Sequence, residues 1–137
     1  MTLRIVDEGH GSMRYDPAKY KKKIGIIFPG QGTQFVGMGK ELYDNERIVQ
    51  EVFEEASLCL NTNFVQLCFA SSEKLLRETV NSQTAIFVVS AAIYRLLNQK
   101  YGIVPDLVAG HSLGEYSAIH AVGGLNFPDT LYLLNKR

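Results

Sequence analysis

At 137 residues, 46% hydrophobic and 20% charged, the chain has the composition of a globular domain with room for one core, which excludes a disordered or low-complexity segment. Fourteen Lys and Arg balance fourteen Asp and Glu, so no net field draws the chain to nucleic acid or to an anionic membrane, and small molecules or proteins are the expected partners. No apolar run reaches the roughly 18 residues of a bilayer span and no signal-peptide layout precedes the first strand candidate, so a cytoplasmic location is expected. Cys59 and Cys68 sit in amphipathic stretches without metal-ligand spacing. They are expected as buried thiols in a reducing compartment, and no metal site is expected.

In chain order, "GHGSM" at Gly9 to Met13 has the look of a vector leader joined to a native methionine, so residues 1–12, with His10, are set aside. Residues 13–23 are polar and basic, a solvated lead-in. Order begins at Ile24, where "IGIIF" reads as a buried strand closed by Pro29 and Gly30. "VGMGKELY" and "ERIVQEVFEEASLCL" follow at helical spacing, the second placing Ile48, Val49, Val52, Phe53, Ala56 and Leu60 on one face. "SSEKLLRETV" opens with a serine cap candidate and continues helically. "SQTAIFVVSAAIYRLLNQKYG" is a long apolar helix ended by Gly102. "PDLVAGH" is a second strand, "SLGEYSAIHAV" a helix, and "FPDTLYLLNKR" a last helix with Pro128 and Asp129 near its start and Lys136 and Arg137 at its end. Strand, helices, strand, helix, helix predicts an α/β fold with parallel strands.

Two glycine-rich loops carry the chemistry. Gly110-His111-Ser112-Leu113-Gly114 sets a serine at the junction of a strand and a helix. A nucleophile there needs a tight turn that projects its hydroxyl and aims the helix N-terminus at the developing oxyanion, and flanking glycines relieve the crowding. Ser112-Leu113-Gly114-Glu115 also fits a capping box, which would make Ser112 structural. Phe28-Pro29-Gly30-Gln31-Gly32-Thr33-Gln34 follows the first strand, where an α/β serine enzyme places the second oxyanion amide. It contains neither GxxxxGK[ST] nor GxGxxG, which argues against a phosphate loop.

"FPGQGTQ" paired with "GHSLGEYSA" resembles malonyl-CoA:acyl carrier protein transacylases and the acyltransferase domains of fatty-acid and polyketide synthases, from Ile24 to Arg137. The resemblance implies an α/β-hydrolase-like large subdomain with a parallel sheet, incomplete here because the ferredoxin-like small subdomain is absent. It implies a ping-pong transfer in which Ser112 takes malonyl from coenzyme A as an ester and passes it to the phosphopantetheine thiol of acyl carrier protein, with no permanently bound cofactor. The backbone amides of Gln31 and Leu113 would hold the oxyanion. Gln83 falls where the family has a glutamine near the active site, although Thr84 stands in place of the usual proline. Arg137, 25 residues after Ser112, falls where the family has the arginine that pairs with the free carboxylate of malonate, a task suited to a planar, permanently charged fork.

None of the three histidines is expected to act as the base. His10 is set aside; His111 neighbours Ser112 and should pack behind the elbow; His120 lies eight residues along the helix, a rise of roughly 12 Å. The resemblance puts the base in a downstream segment, which makes this chain the first part of the large subdomain, inactive and poorly stable alone. The alternatives are a non-catalytic module that binds acyl-CoA or carrier protein, and a serine esterase of the α/β-hydrolase type, for which Glu115, Tyr116 and "GQGTQ" are unlike the expected pattern.

Overall fold

The computed structural model describes residues 23–137 in full and Arg4–Asp7 as backbone. Three strands, β1 (Arg4–Asp7), β2 (Ile24–Phe28) and β3 (Leu107–Gly110), form one sheet in the order β1-β2-β3. β2 and β3 run parallel, in register from Gly25 opposite Leu107 to Phe28 opposite Gly110. This is the expected pair, and joining parallel strands requires a long crossover. Five helices supply it: α1 (Lys40–Asn45), α2 (Arg47–Leu60), α3 (Phe64–Phe69), α4 (Glu73–Arg77) and α5 (Thr79–Tyr101). α6 (Leu113–Ala121) and α7 (Phe127–Lys136) follow β3.

β1 was not expected. It pairs antiparallel with β2, Arg4 opposite Ile27 and Asp7 opposite Ile24, within the twelve residues set aside as a leader. "RIVD" is too short an apolar run to register as a strand, and only its pairing partner defines it. His10 and the lead-in up to residue 22 lie outside the described residues.

β2 alternates as a strand covered on one face. Ile26 and Phe28 are buried with Ala118 of α6, and the Phe28 ring meets Tyr94 of α5 edge-on at 6.2 Å. The other face is open, with Ile27 43% and Leu107 47% exposed.

α5 is the axis of the main core. It is buried continuously from Ser82 to Ala92 and packs against α2, α6 and α7, as a helix apolar all round must be. Its 23 residues are long and apolar enough to cross a bilayer, and 67% of its most apolar window is buried inside the fold instead. It stops where expected, at Gly102 in the left-handed region (φ 65°), whose N–H donates to Asn98 O. α2 presents Val49, Val52, Phe53 and Ala56 to this core, while Ile48 and Leu60 pack at its rim.

Two elements differ from expectation. α3 forms in "FVQLCF", capped by Asn63, whose Oδ1 accepts from the Gln66 N–H at 3.0 Å. The predicted helix over "SSEKLLRETV" is broken: Ser72 caps α4 by accepting from the Leu75 N–H at 3.1 Å, and Glu78 then leaves helical geometry (φ −56°, ψ 134°) before α5 begins. Cys68 is fully buried and burial pushes its thiol up to about 12, whereas Cys59 is only half-buried.

Candidate active site

Ser112 sits between the end of β3 and the first residue of α6 with φ 55° and ψ −115°. Asn61 is the other non-glycine residue at positive φ among those described, but at φ 48° and ψ 44° it occupies the ordinary left-handed well of a helix end. Ser112 lies outside that well, in a conformation L-residues adopt only when their surroundings enforce it.

Those surroundings are backbone against backbone. A Cβ on Gly110 would overlap the carbonyl group of Gly114, and a Cβ on Gly114 would overlap the Phe28 carbonyl oxygen. Both glycines of the motif are therefore fixed by contact, one by the turn into α6 and one by the approach of α6 to β2. Gly30 completes the junction, because a side chain there would strike the His111 carbonyl oxygen. Hydrogen bonds close the turn: His111 N–H donates to Phe28 O at 3.4 Å, Gly114 N–H to His111 O at 2.9 Å and Glu115 N–H to Ser112 O at 3.0 Å.

The capping-box alternative fails on this geometry. The Ser112 side chain makes no cap bond to α6, and its hydroxyl oxygen instead accepts from Arg137 Nη2 at 3.2 Å. α7 delivers that arginine. Asn126 caps it by accepting from the Asp129 N–H at 2.8 Å, and Phe127, Thr130, Leu131 and Leu134 bury one face. The Arg137 N–H donates to Leu133 O at 3.1 Å, so its backbone continues the helix. Its guanidinium also lies over the Tyr116 ring, 5.5 Å from the centroid. Tyr116 was noted from sequence only as unlike the esterase pattern and was given no site role, although it stands one helical turn beyond Ser112, where side chains share a face.

Phe28 and Gly110 are paired at the strand ends, so the Pro29–Gln34 loop emerges beside the elbow. The loop braces itself: Thr33 Oγ1 donates to Gly30 O at 2.8 Å and Gly32 N–H to Gln34 Oε1 at 2.8 Å. Among the described residues, neither the Gln31 amide nor the Leu113 amide has an acceptor. Gln83 occupies the second turn of α5, 6% exposed, with its buried Oε1 lacking a partner among the described residues. No hydrogen bond joins it to Ser112 or Arg137. Thr84, where the resemblance led proline to be expected, donates its hydroxyl to Val80 O at 2.8 Å and continues the helix.

Among the described residues, neither histidine is hydrogen-bonded to the Ser112 hydroxyl. His111 is exposed and lines a cavity of about 320 Å³ with Ile27, Pro29, Gln31 and Thr33. It was expected to pack behind the elbow; instead it is exposed and stands beside Ile27 and the Pro29–Thr33 loop. His120 Nδ1 is 2.9 Å from Leu125 O. A carbonyl only accepts, so Nδ1 carries the proton. The ring meets Phe87 and Phe127 edge-on at 5.5 and 5.9 Å, and burial lowers its pKa, against the pull of the Leu125 carbonyl. Among the described residues no cluster of three or more His, Cys, Asp or Glu could hold a metal ion.

The acyl transferase domain family matches residues 26–137. A malonyl CoA-acyl carrier protein transacylase of Bacillus subtilis (strain 168) is 45% identical over 115 residues, 84% of this chain and 36% of the relative. Among solved structures, the malonyl CoA-acyl carrier protein transacylase of Clostridium perfringens superposes with a TM-score of 0.78 at 43% identity, over 82% of this chain and 35% of that one. A type II PKS acyl-carrier protein in complex with its malonyl-transacylase matches with a TM-score of 0.78 at 38% identity, over 80% of this chain and 36% of that one. The chain thus spans little more than a third of the length of these relatives. Both glycine-rich loops, the elbow serine and the arginine bound to it fall inside the matched residues, and the chain belongs to the acyl transferase domain family.

Proposed function

We propose that this chain carries the nucleophile, the oxyanion amides and the carboxylate clamp of a malonyl transfer from coenzyme A to the phosphopantetheine thiol of an acyl carrier protein. The observation that carries the proposal is Ser112 itself: a strained backbone, a hydroxyl released from capping, and a guanidinium already hydrogen-bonded to it. Strain of this kind is kept where function requires it. Relatives named for malonyl-CoA and acyl carrier protein support the substrate and the acceptor.

In the first half-reaction Ser112 Oγ attacks the thioester carbonyl of malonyl-CoA, its proton passing to a general base. The carbonyl oxygen becomes an oxyanion, held by the Gln31 and Leu113 N–H groups, the second reinforced by the N-terminus of α6. The tetrahedral intermediate collapses, the C–S bond breaks, and coenzyme A leaves as a thiol after taking the proton back. Malonyl is then an ester on Ser112. In the second half-reaction the carrier thiol attacks that ester and the Ser112 hydroxyl is regenerated. The Arg137 guanidinium meets the free malonyl carboxylate with two parallel hydrogen bonds, and Gln83, by resemblance to the family, stands near the acyl group. By resemblance to the family, the base is a histidine well downstream of Ser112, past Arg137. No resident cofactor takes part, and the site of action is the cytoplasm.

Transfer of label from radiolabelled malonyl-CoA to carrier protein by the intact protein tests this assignment. Ser112→Ala is expected to abolish transfer, a loss of at least about a thousandfold; full transfer in that variant would overturn the role of Ser112.

A further inference from the structure

Three side chains converge at the elbow, and the functional reading employs two. The third is Tyr116. It projects from α6 one turn after Ser112, is half-buried, and packs against the main core beside residues that α5 and α7 contribute. One ring face is left for the Arg137 guanidinium, whose carbon lies 5.5 Å from the ring centroid while Nη2 donates to Ser112 Oγ at 3.2 Å. The nucleophile, the cation and the ring that holds the cation thus occupy one turn of one helix and the end of another.

Arginine is a long side chain with many rotamers, and no salt bridge fixes Arg137 among the described residues. A carboxylate partner in its place would compete with the acyl carboxylate for the same fork. An aromatic face restrains the guanidinium plane without occupying its N–H donors, because the attraction runs through the ring quadrupole and the donors lie in the plane. We propose that Tyr116 is a positioning residue, which holds the Arg137 guanidinium flat and its donor edge free for the carboxylate of a dicarboxylic acyl group. The inference rests on the carboxylate role assigned to Arg137.

Steady-state kinetics of the intact protein with malonyl-CoA and acetyl-CoA as donors separate the two. Tyr116→Leu is expected to raise the KM for malonyl-CoA roughly three- to tenfold, the range of a cation–π contact, with kcat changed less than about twofold. The KM for acetyl-CoA, which has no free carboxylate, stays unchanged, and Tyr116→Phe, which keeps the ring, retains the wild-type KM for malonyl-CoA. An unchanged malonyl KM in Tyr116→Leu, an equal rise for both donors, or a Phe variant as weak as Leu would overturn the role of Tyr116. Acetyl turnover reports the folded fraction, and Tyr116→Met gives the same comparison if the Leu variant does not fold. Arg137→Ala, measured alongside, isolates the premise. Equal loss of both donors there defeats the carboxylate role itself, whereas selective loss of malonyl with an unaffected Tyr116→Leu defeats only the present inference.

Discussion

Ser112 is held in its unusual conformation by what its neighbours lack. Gly110 and Gly114 let β3, the first turn of α6 and the end of β2 touch through backbone alone. Gly37, by contrast, has φ 98° and open space around its missing Cβ. Gly114→Ala is therefore expected to destabilise the intact protein by about 2 kcal/mol or more, in the range of overpacked cores, and to displace the elbow. Urea unfolding measures it, and a midpoint equal to wild type would contradict the close approach. The motif's spacing was legible in the sequence because tight turns admit few residue types. The choice between cap and nucleophile was not, since both place serine before a helix and differ only in where the hydroxyl points. Arg137 was placed through resemblance, and Tyr116, noted in the sequence only as unlike the esterase pattern, gave no sign of meeting Arg137 until a second helix met the first.

At the scale of elements, legibility followed length and periodicity. α2 and α5 announced themselves by apolar spacing and a glycine stop, whereas α3 is six residues long and the break between α4 and α5 hangs on the single backbone turn at Glu78. α6 is held between its neighbours by His120, whose ring touches Phe87 of α5 and Phe127 of α7. Burial and the nearby Arg95 lower its pKa from 6.5, while the Leu125 carbonyl and Glu55 oppose the shift; the net direction is down. A histidine buried neutral contributes stability fully above its unfolded value of about 6.5, and this is lost as pH falls through the lower folded value, because the unfolded chain takes up the proton first. The urea midpoint should accordingly fall between about pH 7 and pH 5, and His120→Gln should flatten that part of the slope. An identical slope in the variant would show that His120 is not held neutral by the helix packing.

For the whole molecule, the site is a product of topology. Parallel pairing of β2 with β3 brings together two loops about eighty residues apart in sequence, and α7 returns to lay Arg137, the residue just past its end, on the serine. Alternating strands and helices made the parallel pair legible; the antiparallel β1 was not, because an edge strand of four residues is defined by its partner rather than by its own pattern. The sheet keeps one face open around Ile27 and Leu107, and the chain spans little more than a third of its relatives. The most direct test is to mix the intact protein with malonyl-CoA in the absence of carrier protein, quench in acid and locate the adduct by peptide mass spectrometry. One malonyl group on the peptide that carries Ser112, discharged when holo carrier protein is added, is the predicted result. A malonyl group on any other residue, or none under conditions that support transfer, would contradict it.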